Sequence, residues 1–259
     1  MRLTVLGRSP ARPNPGEACA GYLLEGGGTR ILMDVGPGVV AQLLRRTTPD
    51  ELDAVVVSHM HTDHFLDLVT LRYSYPWLEN AARRLRVVMP PGSQAQLEQV
   101  ALGAGYRDFF DRSFDFEEHD GATAFEIGRL RLEPYATKHF VPTWGFRVES
   151  RGSGEPPGRV FAYSADSAPT PALDRLATDV DLFLCEAALK SRSDDPPDDA
   201  QRGHLLPCEA GEVASRAHAR RLILTHLPTS NGGEWAQREA ESTYEGSVEV
   251  AEILRTYEI

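Results

Sequence analysis

The sequence predicts an α/β fold in which short strands and helices alternate along the chain. Short apolar runs are separated by glycine and proline, and between some of them apolar residues recur with helical spacing. The chain has 259 residues, 41% of them hydrophobic, which is enough to bury a substantial core. We therefore expect a single layered domain over residues 1–259, built from two similar α/β halves.

The first third of the chain is rich in predicted strands. Glycine and proline divide it into short apolar runs, a pattern typical of consecutive strands. The predicted elements, in chain order, are strands L-T-V-L-G, G-Y-L-L-E and R-I-L-M-D-V-G, helix V-V-A-Q-L-L-R-R, strand D-A-V-V-V-S, strand R-L-R-V-V-M-P and helix S-Q-A-Q-L-E-Q-V-A.

The second half of the chain continues this alternation. Its predicted elements are strands F-E-I-G-R-L-R-L-E-P-Y, W-G-F-R-V-E-S and R-V-F-A-Y-S-A-D, helix P-A-L-D-R-L, strand V-D-L-F-L-C-E, amphipathic helix C-E-A-G-E-V-A-S-R-A-H-A and strand R-L-I-L-T-H. Two hydrophilic segments, 151–158 and 191–200, are predicted to be exposed loops.

The net charge of the chain indicates which kinds of substrate or partner it is suited to bind. The chain has 27 basic and 38 acidic residues and a formal charge of −11. This balance disfavours a nucleic-acid partner and favours a small substrate. The short basic segments at residues 83–86 and 220–221 are predicted to be solvated ends of helices or strands.

Cysteine usage and hydropathy bear on the compartment. Three widely spaced cysteines without a C-x-x-C pattern argue against a disulfide framework and for a reducing cytoplasm. Cys185, within D-L-F-L-C, is predicted to be a buried strand residue. No stretch approaches the roughly 18 apolar residues of a membrane span, and M-R-L-T-V-L-G lacks a secretory pattern. We expect a cytoplasmic protein without a membrane segment.

Residues 55–65, V-V-V-S-H-M-H-T-D-H-F, place polar ligands directly after a run of valines. His59 and His61 project alike from an extended segment, whereas Asp63 and His64 lie at the turn into a helix. An apolar core has no use for four such groups at a strand end. A compact loop can instead aim several imidazole nitrogens at one cation. The motif therefore predicts a metal site.

Two other histidines receive a different interpretation. His119, in F-E-E-H-D-G, and His218, in R-A-H-A-R, each stand apart from other ligating residues in the sequence. Single histidines of this kind are more often structural or solvated than metal-bound. We predict that neither contributes to the site.

The segment H-M-H-T-D-H resembles the H-x-H-x-D-H motif of metallohydrolases with the metallo-β-lactamase fold. The family's later motifs have counterparts in the same order: His139 in A-T-K-H-F-V-P-T-W-G-F, Asp166 in F-A-Y-S-A-D-S and His226 in L-I-L-T-H-L. The resemblance covers nearly the whole chain. It implies an αββα sandwich, in which two mixed β-sheets are flanked by helices.

The same resemblance implies a site for two divalent metal ions. One ion would take His59, His61, His139 and Asp166, and the other would take Asp63, His64, His226 and Asp166. Zinc suits these ligands best, with manganese and iron left open. A carboxylate can bridge two cations about 3.5–4 Å apart, and a water between them becomes a nucleophile near neutral pH.

A further histidine indicates a branch of the family. The segment Q-R-G-H-L-L-P-C-E-A resembles one that ribonuclease Z and related phosphodiesterases carry before their last metal histidine. That segment usually reads H-S-T, and its histidine assists phosphodiester cleavage. His204 keeps the position, but Leu205 and Leu206 replace the hydroxyl residues. The basic, glycine-rich arm with which ribonuclease Z grips tRNA has no counterpart in residues 72–130.

These motifs predict a metal-dependent phosphodiesterase that acts on a small phosphodiester such as a cyclic nucleotide. Asp63 is expected to accept a proton from the attacking water. His204 is expected to stabilise charge on the phosphoryl or leaving oxygen, or to protonate the leaving group. Alternatives left open are ribonuclease Z-type tRNA 3′-end processing, lactone or thioester hydrolysis, and a non-catalytic metal-binding scaffold. The resemblance also implies a homodimer.

Five further side chains carry subsidiary predictions. Asp67 is expected either to orient a metal-binding histidine or to be solvated on a helix, and Glu186 either to orient His204 or to be exposed. Trp144 and Phe140 are expected to pack in the core more readily than to stack a base. Lys138 is a candidate phosphate contact.

Overall fold

The computed structural model describes residues 1–75, 84–151, 159–228 and 233–259. In these ranges the chain forms two seven-stranded mixed sheets that pack face to face, with helices on their outer faces. This is the αββα arrangement that the resemblance implies.

The strands and helices have the following bounds. The first strands are β1 Arg2–Gly7, β2 Gly21–Gly26, β3 Thr29–Met33, β4 Ala54–Val56, β5 Leu85–Met89, β6 Phe114–Glu118 and β7 Phe125–Ile127. The later strands are β8 Leu130–Ala136, β9 Trp144–Ser150, β10 Val160–Tyr163, β11 Leu182–Glu186, β12 Arg221–Thr225, β13 Ser247–Val250 and β14 Thr256–Glu258. The helices are α1 Val39–Leu43, α2 Thr62–Phe65, α3 Leu68–Leu71, α4 Ser93–Gly103, α5 Pro171–Leu176, α6 Pro207–Arg216 and α7 Glu234–Glu241.

Both sheets combine an antiparallel and a parallel part. The first sheet has the order β14-β1-β2-β3-β4-β5-β6, and the second has the order β13-β12-β11-β10-β9-β8-β7. Strands β3 to β6 are parallel neighbours in the first sheet, as are β10 to β13 in the second. Since neighbouring parallel strands end at the same edge of a sheet, the loops that follow them lie side by side.

Apolar side chains fill three layers. The central layer lies between the sheets and joins Leu24 and Ile31 of the first sheet to Phe146 and Phe161 of the second. A second layer packs the first sheet against α1, α3 and α4, and a third packs the second sheet against α5, α6 and α7. Both sheets are therefore covered on both faces, which explains the nearly continuous apolar runs of their parallel strands.

Helix α6 precedes the strand that leads to His226, the last predicted site residue. Pro207 occupies its first turn, and the Glu209 carboxylate accepts a hydrogen bond of 2.9 Å from the Leu206 N–H. A Cβ atom on Gly211 would lie 2.5 Å from the Ala240 carbonyl oxygen, so glycine is needed for α6 to approach α7 this closely. The chain then enters β12, whose end directly precedes His226.

Most of the predicted strands and helices are confirmed, but four elements were missed. Strands β6, β13 and β14 and helix α7 have no counterpart in the prediction. Residues 191–200 form a mainly exposed loop with two short 3₁₀ turns, as predicted. The loop predicted at 151–158 lies, except for Arg151, outside the described residues.

The sequence-based expectations also concerned the cysteines and the hydropathy of the helices. The three cysteines are free, and Cys185 is buried on β11. Among the described residues, no helix combines the length and the apolar character that a membrane crossing requires.

Candidate metal centre

The site residues follow the carboxyl ends of strands in both sheets. His59 and His61 come after β4, and Asp63 and His64 lie in α2. The others come after strands of the second sheet: His139 after β8, Asp166 after β10 and His226 after β12. The two sheets thus bring their strand ends together at one edge of the sandwich, where all seven side chains predicted from the sequence meet.

A first group of ligand atoms comes from His59, His61, His139 and Asp166. Their ring nitrogens and carboxylate oxygen all lie within 4.8 Å of one another. The His139 Nε2 atom is 2.9 Å from His61 Nδ1, and the Asp166 Oδ2 atom is 3.7 Å from His139 Nε2. This spacing would allow one cation to reach all four residues.

A second group comes from Asp63, His64, Asp166 and His226, all of them buried. The Asp63 Oδ2 atom is 3.2 Å from His226 Nε2 and 3.4 Å from His64 Nε2. The Asp166 Oδ2 atom is 3.4 Å from His64 Nε2, and its Oδ1 atom is 3.6 Å from His226 Nδ1. Asp166 belongs to both groups, so the two groups share one carboxylate.

The buried polar atoms of these groups test whether a metal fits. His59 Nε2, His64 Nε2, His226 Nδ1 and Asp166 Oδ1 are all buried, and none has a hydrogen-bond partner in the described part of the chain. An unpaired buried polar atom costs on the order of 1–3 kcal/mol. Four such atoms within the two ligand groups are a net cost unless cations bind there, so the residues fit divalent metal ions.

Burial and neighbouring charges shift the pKa values of several of these groups. Burial lowers the pKa of His59 well below its usual value, and burial likewise lowers the pKa of His139. Burial raises the pKa of Asp166, but the imidazoles of His226 and His64 outweigh it and hold that pKa well below its usual value. Burial lowers the pKa of His64, but the Asp166 and Asp34 carboxylates outweigh it and hold that pKa well above its usual value. Since neutral imidazole and ionised carboxylate are the forms that bind metal ions, a metal bound here would displace the proton of His64.

Asp34 holds two of these histidines in place and was not predicted from the sequence. Its buried carboxylate accepts hydrogen bonds from Ser58 N at 2.7 Å, from Ser58 Oγ at 2.8 Å and from the Tyr163 hydroxyl at 2.7 Å. His64 Nδ1 lies 2.8 Å from the same carboxylate, and His59 Nδ1 lies 3.0 Å from Ser58 Oγ. Both rings are therefore set to donate through Nδ1, which leaves Nε2 free to face the centre.

The segment after β3 also packs directly on the metal-binding loop. Val35 N donates a hydrogen bond of 2.7 Å to the His64 carbonyl oxygen. A Cβ atom on Gly36 would lie 1.8 Å from the Asp63 carbonyl oxygen, so only glycine permits this approach. The D-V-G segment thus packs against the backbone of α2 and helps to fix its position.

We expect Asp34→Asn to weaken metal binding by about 10- to 100-fold, because partners that orient metal ligands typically contribute this much. An amide cannot accept from Ser58, Tyr163 and His64 together, so both imidazoles lose their fixed orientation. Competition with a chromophoric chelator would measure the affinity. Asp181→Asn is the matched control: Asp181 is buried at the opposite end of β11, where it accepts from Val160 N at 2.8 Å. Equal loss of affinity in both variants would contradict the orienting role.

His204 faces the centre and is held by Glu186. The Glu186 carboxylate is buried and lies 3.0 Å from His204 Nδ1, and it also accepts from Ser167 N at 2.9 Å and from Ala188 N at 2.8 Å. Burial lowers the pKa of His204, but the Glu186 carboxylate outweighs it and raises that pKa to about 9. Glu186 is therefore placed to orient His204, and the alternative that it is exposed is wrong.

A cavity of about 820 Å³ opens above the centre. His61, Asp63, Asp166, His204 and His226 line it. This volume lies in the upper part of the range of about 300–1,000 Å³ that is typical of small-molecule sites. His204 and four of the seven candidate metal ligands therefore face one common space.

Three of the subsidiary residues differ from their predictions. Neither interpretation of Asp67 is correct: it is half-buried, and its carboxylate accepts from Val40 N at 3.0 Å, which caps α1. The prediction that Phe140 packs in the core is wrong, because its side chain is 51% exposed beside the His139 and His204 rings. The Lys138 ammonium donates to the Asp199 carbonyl and does not line the cavity.

The other predictions outside the centre agree with the structure. Trp144 is half-buried, and its indole packs on the His119 ring at 5.2 Å and donates to the Gly121 carbonyl at 3.2 Å. His119 is buried among aromatic rings, and His218 is exposed after α6. Neither histidine belongs to the groups of candidate metal ligands in the described residues.

Comparison with known proteins identifies the family. The model of the beta-lactamase superfamily domain matches residues 29–227. Uncharacterized protein Rv1339 of Mycobacterium tuberculosis is 33% identical over 100% of this chain and 92% of its own length. The probable metallo-hydrolase YhfI of Bacillus subtilis is 27% identical over 97% of both chains, and ribonuclease Z of Haloferax volcanii is 26% identical over 100% of this chain and 95% of its own.

Solved structures show the same fold. The metallo-beta-lactamase fold protein YhfI from Bacillus subtilis superposes with a TM-score of 0.85 at 24% identity, over 99% of this chain and 98% of that one. The short form of human tRNase Z gives 0.75 at 20% identity, over 100% and 99%. A diphosphatase from the PhnP family gives 0.74 at 18% identity, over 100% and 97%. The chain therefore belongs to the beta-lactamase superfamily and, with its cluster of histidines and aspartates, is a metallo-hydrolase of the metallo-β-lactamase fold.

Proposed function

We propose that the protein is a dinuclear metal-dependent phosphodiesterase that hydrolyses a small phosphodiester such as a cyclic nucleotide. The observation that carries the proposal is the common cavity, in which two ligand groups sharing Asp166 face the Glu186–His204 pair. His59, His61 and His139 with Asp166 would hold one cation, and Asp63, His64 and His226 with Asp166 would hold the other. Zinc suits a set of imidazole and carboxylate ligands, and manganese and iron remain alternatives.

The cations, when bound, would act as Lewis acids toward the phosphodiester oxygens and would lower the pKa of a bound water molecule to near 7. The chain's own groups would complete the reaction. Asp63 lines the cavity and would accept the proton of the attacking water. His204 would donate a hydrogen bond or a proton to the phosphoryl or leaving oxygen, and Glu186 would keep its ring in position.

The substrate class is inferred from the His204 region and from the relatives. Ribonuclease Z proteins appear among the sequence relatives, and a tRNase Z and a diphosphatase appear among the structural ones. The formal charge of −11 disfavours a large polyanion. A small phosphodiester is therefore our preferred substrate, and tRNA 3′-end processing is the second candidate because of the ribonuclease Z relatives.

A substrate panel tests the proposal. Metal-reconstituted protein should hydrolyse bis-p-nitrophenyl phosphate and at least one cyclic nucleotide, and it should leave lactones and pre-tRNA intact. Cleavage of pre-tRNA at its 3′ end would favour the second candidate. Hydrolysis of lactones without any phosphodiester turnover would refute the phosphodiesterase assignment, since the same ligands serve either reaction centre.

A further inference from the structure

Two cationic side chains line the cavity in addition to the candidate metal ligands. Arg12, from the loop after β1, and Lys190, from the loop after β11, line it together with Pro10 and Pro228. Both side chains are exposed. With a volume of about 820 Å³, the cavity has room for substituents of the substrate beyond the scissile phosphate.

The loop that carries Arg12 is anchored to the backbone beside His226. Asn14 Nδ2 donates to the Leu227 carbonyl oxygen at 2.9 Å and to Glu17 at 3.0 Å, and Arg8 Nη2 lies 2.6 Å from Glu17. Arg12 takes no part in this network. Among the described residues, its guanidinium has no hydrogen bond and no ion pair, so it is available to a ligand in the cavity.

Lys190 is held in place without being neutralised. Its ammonium lies 5.6 Å from the centroid of the Trp235 ring, a cation–π contact that retains the full positive charge. No carboxylate pairs with it in the part of the chain that the structure describes. Asp194 also lines the cavity, but its carboxylate accepts from Ser191 N at 3.0 Å and caps a turn.

We propose that Arg12 and Lys190 form a second anion subsite, which binds a phosphate of the substrate other than the scissile one. In a protein with a formal charge of −11, two cations that line the same cavity and have no carboxylate partner among the described residues attract anions locally. The assignment deepens the proposed function, because it places the scissile phosphodiester at the metal centre. Its substrate class is a small nucleotide that carries a phosphodiester and a second phosphate.

Binding of two product analogues tests the subsite without turnover. Metal-loaded protein is titrated by calorimetry with thymidine 3′,5′-bisphosphate and with thymidine 5′-monophosphate. Wild type should prefer the bisphosphate by about tenfold or more, and Arg12→Ala and Lys190→Ala should each reduce this preference by about three- to tenfold, as expected for charged hydrogen bonds at a partly solvated site. Affinity for the monophosphate should change by less than about twofold in both variants.

Arg107→Ala is the matched control. Arg107 is exposed and lines a separate cavity near Tyr106, so its removal changes the net charge equally but should leave the preference intact. The subsite is refuted if wild type binds both ligands equally, or if Arg107→Ala lowers the preference as much as Arg12→Ala does.

A kinetic experiment distinguishes failure of the anion subsite from failure of the phosphodiesterase assignment. The p-nitrophenyl ester of thymidine 5′-phosphate is compared with the same ester carrying a 3′-phosphate, which has the same leaving group. A higher kcat/KM for the second ester, lost in the Arg12 and Lys190 variants, would support both proposals. If neither ester is hydrolysed but the bisphosphate preference still depends on Arg12, the anion subsite stands and the phosphodiesterase assignment fails.

Discussion

Asp166→Ala should remove both metal ions together and lower phosphodiester hydrolysis by at least about 10³-fold, since the metals contribute several kcal/mol of charge stabilisation. The reason is the position of its carboxylate. Oδ2 lies 3.8 Å from His59 Nε2 and 3.4 Å from His64 Nε2, so one side chain serves both ligand groups. Elemental analysis should find about two metal ions per wild-type chain and well below one in the variant.

Two other variants make this result specific. His61 belongs only to the first ligand group, so His61→Ala should keep about one metal ion per chain. His119→Ala removes a buried histidine outside both groups, and it should lower thermal stability but leave the metal content unchanged. One metal ion per wild-type chain, or equal metal loss in the Asp166 and His119 variants, would contradict a shared carboxylate.

From the residues alone, the sequence indicated four candidate ligands, the polar cluster His59, His61, Asp63 and His64 after an apolar strand. The other three, His139, Asp166 and His226, were predicted through the resemblance to a family. Polar residues are conspicuous when they follow an apolar strand. Five of the seven candidate ligands lie within a few residues of the end of a strand. Parallel strands then bring such residues to one edge of a sheet. The pairing of the two sheets, which joins His64 to His226 across the sandwich, was available only through the resemblance to a family.

The residues that the sequence did not assign depend on contacts between distant segments. Asp34 also follows an apolar strand, so the same rule could have found it. Its role, however, is set by Tyr163, which is 129 residues away. Asp67 was predicted either to orient a metal-binding histidine or to be solvated on a helix, but its carboxylate accepts from Val40 because the N–H groups at the start of α1 need acceptors. The periodicity of apolar residues predicts whether a side chain faces the core or the solvent. It gives no information about which residue will be its hydrogen-bond partner.

Phe140 and the missed strands show that the apolar pattern of a sequence can also misplace a side chain or overlook a strand. Phe140 follows His139 in a segment that is apolar enough to suggest a core position, yet its ring lies on the surface against Gly203. Strand β6 has the sequence F-D-F-E-E with an exposed alternate face, and it lies at the edge of the first sheet. Edge strands need fewer apolar residues than central ones, so their pattern is weak in a single sequence.

His204→Ala should lower kcat by about 10²- to 10³-fold with little change in KM or in metal content, because a positioned acid or oxyanion donor contributes about 3–4 kcal/mol in the transition state alone. Its ring is placed for that role: Nδ1 is 3.0 Å from buried Glu186, and the side chain lines the cavity. Glu186→Gln should show a smaller loss of kcat, since the ring keeps a hydrogen-bond partner but not a charged one. Steady-state kinetics and metal analysis of the same preparations would measure both effects.

The leaving group then distinguishes the two roles of His204. A p-nitrophenolate leaves without protonation, whereas the alkoxide of a cyclic nucleotide needs a proton. If His204 acts as the acid, the defect of His204→Ala should be large with the cyclic nucleotide and small with bis-p-nitrophenyl phosphate. If it stabilises the phosphoryl oxygens, the two substrates should suffer equally. Turnover within about threefold of wild type on both substrates would exclude either role. Loss of metal would instead make His204 a ligand, since its ligand atom lies within 4.8 Å of those of Glu186 and His226.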